Sequence, residues 1–150
     1  MRAEIRIRDR GVRLMLRQLA RRAEYLQPAF RKIHSEVLIR SFFEQFEREG
    51  DPTRWAGLAP ATIAHRRKGP GPGPDKILQD TRILLWSWTG GHGHFLELKR
   101  TGMVTGSEIP YAARHQEGGG KTPQREIVAR EQDVERAARI LEDYIATGRR

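Results

Sequence analysis

The sequence predicts an α+β fold in which a small antiparallel sheet packs against two long N-terminal helices and a C-terminal helix. Three patterns predict it: helical apolar spacing between residues 12 and 46, a hairpin signal near residue 100, and one apolar stripe between residues 134 and 145. A chain of 150 residues suits one compact domain, so we expect a single domain spanning residues 1–150.

The composition limits the classes of function. Hydrophobic residues make up 37% and charged residues 31% of the chain, which indicates a thin core under a heavily solvated surface. The absence of cysteine excludes disulfides and thiolate metal sites, and it favours folding in the cytoplasm. No apolar run approaches the roughly 18 residues of a membrane span, so no membrane contact is expected. The formal charge of +9 permits attraction to nucleic acid or to an acidic protein surface.

The N-terminal region contains a strand pattern followed by a helix pattern. Residues 3–8 alternate charged and apolar side chains, which predicts a short strand. Helical spacing follows and predicts an amphipathic helix that ends before Pro28, with arginines on its polar face. The apolar positions of this helix are Val12, Met15, Leu16, Leu19, Ala23 and Leu26.

A second long helix is predicted from Pro28 to about Glu49, because proline suits a first helical turn and a turn-forming run follows. At about 100° per residue, its apolar side chains fall on two faces roughly 160° apart. One face carries Phe30, Ile33 and Val37, and the other carries Ile39, Phe42, Phe43 and Phe46. Either the chain covers both faces itself, or the second face, whose four residues are the candidate subunit contacts, packs on a neighbouring subunit.

The middle of the chain predicts a short helix and an exposed loop. Residues 55–68 begin with the apolar anchor Trp55 and fit a helix with Pro60 in its first turn. Residues 69–74 alternate glycine and proline, which supports neither a helix nor a sheet ladder. We therefore expect a flexible surface loop over residues 69–74.

Three further elements are predicted after this loop. Residues 77–88 fit a helix capped by Asp80 or Thr81, although a strand is an open alternative. Residues 94–99 and 103–105 fit the two strands of a hairpin, and a glycine loop follows at residues 118–120. A final helix carries Glu131 and Asp133 in its first turn, where the helix dipole favours anions. Its apolar stripe consists of Val134, Ala137, Ala138, Leu141, Tyr144 and Ile145.

No set of residues predicts catalysis. The chain has no nucleophile elbow, no cysteine nucleophile and no isolated carboxylate pair, so we expect neither enzymatic activity nor a cofactor. His92 and His94 lie in a glycine run and could approach a metal together with His65 or His115. A polar turn before the hairpin is the better interpretation, because no zinc-protease pattern surrounds the two histidines.

Binding of nucleic acid is the competing function. The candidate contacts are Arg66, Arg67 and Lys68, together with the arginines of the first helix. Trp86 or Trp88 could stack on bases, yet no helix-turn-helix, zinc-finger or RNP signature is present. A solvated basic face above core tryptophans is the simpler interpretation.

Four short segments carry a family resemblance. Residues 55–62 read WAGLAPAT, residues 77–84 read ILQDTRIL, residues 110–118 read PYAARHQEG, and residues 122–125 read TPQR. In order and spacing they resemble the W-x-x-L-x-P-x-T, I-L-x-D-T-G-x-L, P-Y-A-x-x-H-Q-x-G and x-P-x-R segments of the phage virion morphogenesis family. That family comprises the tail completion proteins of Mu-like and P2-like phages. Arg82 stands where the family usually has glycine, and Glu126 and Ile127 replace its usual proline and phenylalanine.

The resemblance implies a virion protein of the tail or neck, made and assembled in the host cytoplasm. It implies a ring, with six copies expected, that completes the tail and joins it to the head. The partners would be further copies of the chain, other tail, neck or connector proteins, and DNA that passes through the ring.

The resemblance also selects residues to which we assign structural roles. We expect Trp55 and Leu58 to anchor their loop on the core, and Asp80 to cap the next helix. We expect Tyr111 to pack with its hydroxyl hydrogen-bonded. The matched positions are Trp55, Leu58, Pro60, Thr62, Asp80, Thr81, Tyr111, His115, Gln116, Gly118, Pro123 and Arg125.

Overall fold

A computed structural model describes residues 10–150, so the strand predicted over residues 3–8 lies outside the described part of the chain. The helices are α1 (Arg10–Glu24), α2 (Gln27–Ile33), α3 (Ile39–Glu47), α4 (Pro60–Arg66), α5 (Ile83–Trp88), α6 (Ala112–Glu117) and α7 (Glu131–Thr147). A π-helical segment, His34–Leu38, joins α2 to α3, and the strands are β1 (His94–Leu98) and β2 (Met103–Ser107). This arrangement confirms the α+β class. Within residues 10–150, no helix is long and apolar enough to cross a bilayer.

Helix α1 forms where predicted, but its apolar side is not covered. Val12, Met15 and Leu16 are 38%, 51% and 55% exposed. The helix is held at its C-terminal end, where the Arg22 guanidinium donates to the carbonyls of Ile145 (3.1 Å) and Ala146 (2.7 Å). The sequence pattern predicted an amphipathic helix correctly, but the fold leaves its apolar face open.

The π-helical segment changes the phase of the second long helix. A π turn contains one more residue than an α turn, so it shifts the side chains that follow by about 100°. The two apolar faces, roughly 160° apart in a regular helix, are therefore brought closer together. Ile33, Val37, Phe42 and Phe46 all lie in one buried cluster. The prediction of two opposed apolar faces was wrong for this reason.

Helix α5 and the hairpin complete the core beside α3. The hairpin pairs His94 with Ser107 and Leu98 with Met103 in antiparallel register, which confirms the predicted pair of strands. The rings of Phe42 and Trp88 meet edge to face, with centroids 5.4 Å apart. Leu84 and Leu85 of α5 are buried in the same cluster.

The segment before α5 differs from its prediction. Leu78 and Arg82 have left-handed backbone conformations, with φ of 58° and 61°, which interrupt any regular helix or strand. The helix therefore begins at Ile83, with no side-chain cap, and the predicted capping by Asp80 or Thr81 was wrong. The strand alternative was wrong for the same stretch. Helix α6 was not predicted at all, because its six residues are too few to show a periodic pattern.

Helix α7 is fixed by a buried ion-pair network. The Arg130 guanidinium contacts Asp133 (3.0 Å), Asp51 (2.7 Å) and Glu44 (2.9 Å), and thereby joins α7 to α3 and to the loop after it. Asp133 is 1% exposed and also accepts a hydrogen bond from Ser41. Burial of Asp133 turns the next residue, Val134, about 100° away from the core. Val134 is 58% exposed, so its place in the predicted apolar stripe was wrong.

Candidate functional site

The residues that carry the family resemblance converge on one cluster, which we call the motif cluster: Trp55, His115, Gln116, Gly118 and Arg125. Trp55 is buried, with its ring edge to face with Phe46 at a centroid distance of 5.5 Å. Its indole N–H donates to the carbonyl of Glu126 at 3.0 Å. The predicted role of Trp55 as an anchor on the core is confirmed, and Leu58 packs against the same core.

Arg125 and Gln116 tie three segments of the motif cluster together. The Arg125 side chain donates to the carbonyls of Ala56 (3.0 Å) and Gly57 (3.3 Å), and its backbone N–H donates to the carbonyl of His115 (2.7 Å). Gln116 makes a reciprocal pair of hydrogen bonds with the backbone of Ile127, at 2.7 and 3.1 Å. Burial, and then the nearby Arg66, lowers the pKa of Arg125. These contacts hold the chain in place and present no reactive group.

Glycine is required at the end of α6. Gly118 has φ of 73°, and a Cβ there would lie 2.9 Å from the backbone nitrogen of Gln124. The chain can therefore turn back toward Arg125 only with glycine at this position. Pro123 lies exposed in the returning segment, and Pro60 and Thr62 are exposed on α4. The motif residues are thus partly core anchors and partly turn residues.

A cavity of about 190 Å³, lined by both polar and apolar side chains, lies beside the motif cluster. It is lined by Arg66, Leu78, Asp80, Thr81, Leu84, Tyr111 and His115. Within residues 10–150, Asp80 Oδ1 and His115 Nδ1 are buried without a hydrogen-bond partner. Burial lowers the pKa of His115, and Arg125, Arg66 and Arg114 lower it further, so the environment favours the neutral imidazole.

Two predictions about the cavity residues were wrong. Tyr111 is 43% exposed and stacks edge to face on His115 at 6.2 Å, and its hydroxyl has no hydrogen-bond partner among the described residues. Asp80 faces the Arg66 guanidinium at 3.9 Å instead of capping α5. The Gly/Pro loop explains the position of Asp80, because Gly73 donates to the Asp80 carbonyl at 3.1 Å and a side chain at Gly71 would collide with it.

The histidines do not gather as a metal site in the described chain. His94 of β1 faces His34 of the π-helical segment, with 2.8 Å between the two Nε2 atoms, and it does not pair with His92. His94 Nδ1 lies 3.0 Å from the carbonyl of Ser87 and donates there, since a carbonyl can only accept, and this fixes the ring with Nε2 toward His34. Burial, and then His94, lowers the pKa of His34. Among residues 10–150, no group of three His, Cys, Asp or Glu side chains could hold a metal ion.

The fold buries two of the four predicted subunit contacts and leaves the other two partly or largely exposed. Phe42 and Phe46 are 4% and 0% exposed, so they belong to the core and cannot form a subunit contact. Ile39 is half-buried, and Phe43 is 47% exposed. The correction follows from the π-helical segment, which turns Phe42 and Phe46 inward and leaves Phe43 outside.

Phe43 belongs to an exposed apolar surface that the sequence did not reveal. Ile83 is 46% exposed and Trp86 57% exposed, and we call Phe43, Ile83 and Trp86 the Trp86 surface. Trp86 lines two shallow depressions, one of about 450 Å³ that it shares with Phe43 and one of about 250 Å³ that it shares with Ile83. Apolar periodicity identified the aromatic residues of this region but not which of them would be covered.

The candidate nucleic-acid contacts are mostly engaged within the chain. Arg67 forms a bidentate ion pair with Asp75, with hydrogen bonds of 2.9 and 3.0 Å. Arg66 is half-buried and donates to the carbonyl of Lys76 at 3.1 Å. Lys68 is exposed. These residues therefore form no continuous free basic surface.

Comparison with protein families decides the class of the protein. The model of the phage virion morphogenesis family matches residues 7–142, which is nearly the whole chain. The chain belongs to the phage virion morphogenesis family. No curated protein and no solved structure matches it.

For a member of the phage virion morphogenesis family, the motif cluster and the Trp86 surface have different roles. The chain has a role in phage virion morphogenesis, which involves other phage virion proteins as partners. The side chains of the motif cluster make their contacts within the chain. The Trp86 surface is exposed and remains open to such a partner. For this family member, the candidate functional site is therefore an exposed surface.

Proposed function

We propose that this family member is a structural subunit of the phage tail or neck, where it completes the tail and joins it to the head. In this proposal the subunits form a ring of six copies that also binds other tail, neck or connector proteins. The protein acts by assembly and not by catalysis, and it resides in the tail or neck of the virion after assembly in the host cytoplasm.

The observation that carries the proposal is the Trp86 surface. Exposed apolar side chains that lie together are typical of protein interfaces, and tryptophan is enriched among the residues that dominate binding energy. Trp86, Ile83 and Phe43 come from two helices, α3 and α5, whose buried sides are fixed in the core. The surface is therefore presented by rigid elements, which lowers the entropic cost of association.

A second exposed apolar face supports the same proposal. The uncovered side of α1 carries Val12, Met15 and Leu16, and lies on a helix held mainly at its C-terminal end. Two different apolar faces on one chain allow head-to-tail contacts, and such contacts close into a ring when the rotation between subunits permits.

The proposal is tested by association of the whole chain. Sedimentation velocity over a range of concentrations should show a closed oligomer for the wild type. The variant with Phe43→Ser and Trp86→Ser should shift to monomer and lose tail completion with purified tails. Val104→Ser is the matched control, because Val104 is 44% exposed on the hairpin, outside the Trp86 surface. A wild type that stays monomeric at every concentration and with purified tails would contradict the proposal.

A further inference from the structure

One side of α1 carries a stripe of three arginines, which we call the arginine stripe: Arg10, Arg17 and Arg21. All three are exposed. Their spacing of seven and then four residues places them within an arc of about 40°, at intervals of about 10.5 and 6 Å along the helix. None of them forms an ion pair with another residue of the described chain.

One side of α7 carries the opposite charge, in what we call the glutamate stripe: Glu131, Glu135 and Glu142. These residues are also exposed. Their spacing of four and then seven residues gives intervals of about 6 and 10.5 Å within the same arc of about 40°. Within residues 10–150 they form no ion pair either.

The two stripes match when α1 and α7 run antiparallel. The intervals of seven and four residues between the arginines then lie opposite intervals of seven and four residues between the glutamates. We propose that α1 of one subunit lies antiparallel across α7 of the next subunit, with the arginine stripe on the glutamate stripe. The pairs are Arg10 with Glu142, Arg17 with Glu135, and Arg21 with Glu131. This contact deepens the assembly proposed above and rests on it.

The occupant of the glutamate stripe is a second copy and not the chain's own α1. Within one chain, Arg22 holds the C-terminal end of α1 against the C-terminal end of α7 by donating to Ile145 and Ala146. The three side chains of the arginine stripe are exposed and can therefore reach another subunit. Leu14, 59% exposed beside the arginine stripe, and Val134, 58% exposed beside the glutamate stripe, lie at the edges of the contact.

The contact sets orientation more than affinity. Exposed ion pairs are individually weak, but complementary charge patterns select the partner and fix its register. A head-to-tail pairing of α1 with α7 uses two different surfaces of the chain, as a ring requires. Apolar contacts such as the Trp86 surface supply affinity, and the two stripes align the subunits.

A charge-exchange experiment on the whole chain tests this contact. One variant carries Arg10→Glu and Arg17→Glu, and a second carries Glu135→Arg and Glu142→Arg. Each alone should associate at least about tenfold more weakly, because attraction becomes repulsion at two pairs. An equimolar mixture should recover association to within about threefold of the wild type, since each variant then meets the opposite charge on its neighbour. The readout is the dissociation constant from sedimentation, with circular dichroism to check folding.

The control for net charge is a variant that carries Arg54→Glu and Lys121→Glu. It lowers the formal charge of +9 by four, as the variant with Arg10→Glu and Arg17→Glu does. Equal weakening in this control, or no recovery in the mixture, overturns the contact. Loss of binding to labelled duplex DNA in the Arg10→Glu, Arg17→Glu variant, with self-association unchanged, assigns the arginine stripe to nucleic acid and also overturns it. A monomeric wild type defeats the assembly proposal as well, whereas an associating wild type with unaffected variants defeats the contact alone.

Discussion

The motif cluster and the Trp86 surface both contain a tryptophan near an aromatic residue of α3. The two tryptophans differ in how far the fold covers them. Trp55 is 6% exposed, contacts Phe46 and donates its indole N–H to Glu126. Trp86 is 57% exposed and lies beside Phe43, which is 47% exposed. The comparison shows that the residues that identify the family maintain the fold. The residues available to a partner lie largely outside the identifying motifs.

The largest difference in the free energy of unfolding is expected when each of the two tryptophans is replaced by alanine in a separate variant. Trp55→Ala removes a buried ring and a buried hydrogen bond, and should lower the free energy of unfolding by about 3–5 kcal/mol. Trp86→Ala should change it by no more than about 0.5 kcal/mol, because most of that ring is already in water. Urea denaturation below the association concentration measures both values. Equal losses would mean that Trp86 belongs to the core and would remove the Trp86 surface as an assembly site.

A smaller effect is expected from acid, which acts on the buried network that holds α7. A hydrogen bond from Arg130 lowers the pKa of Glu44. Burial raises the pKa of Asp133, but hydrogen bonds from Arg130 and Ser41 outweigh it, so the pKa of Asp133 is also lowered. Both carboxylates thus contribute stability that is present above their unfolded pKa values, near 4, and is lost as the pH falls through the folded values.

The measurement is the free energy of unfolding between pH 7 and pH 3. It should fall by an amount on the order of 1 kcal/mol more in the wild type than in an Asp133→Asn variant, which cannot titrate at that position. The variant will be less stable at neutral pH, because it leaves Arg130 with one fewer charged partner. Parallel pH profiles for the two proteins would show that folding does not lower the pKa of Asp133.

The smallest effect concerns Arg82, next to the Trp86 surface. Its φ of 61° lies in the left-handed region, where a side chain is strained and glycine is not. This conformation gives a physical reason for the glycine that the family usually has at this position. Arg82→Gly should therefore raise the free energy of unfolding by up to about 1 kcal/mol, partly offset by the greater freedom of glycine in the unfolded chain. Thermal unfolding measures it, and Arg82→Ala, which keeps the strain, should show no gain.

The sequence alone determined the features that depend on local chemistry. The pair of strands follows from alternation around Arg100 and Gly102, α4 begins at Pro60 because proline suits a first turn, and α7 follows from its acidic start and apolar spacing. The ordered segments from Trp55 to Arg125 also identified the family, which the match over residues 7–142 confirms. Each of these signals lies within a few neighbouring residues.

Tertiary structure decided which side chains are covered. A count of 100° per residue assumes a regular helix, so it could not foresee that His34–Leu38 would rotate Phe42 and Phe46 into the core and leave Phe43 outside. Burial of Asp133 likewise depended on the packing of α3, which carries Ser41 and Glu44, against Arg130 at the start of α7. Burial is a property of what packs against a residue, and distant segments of the chain supply that packing.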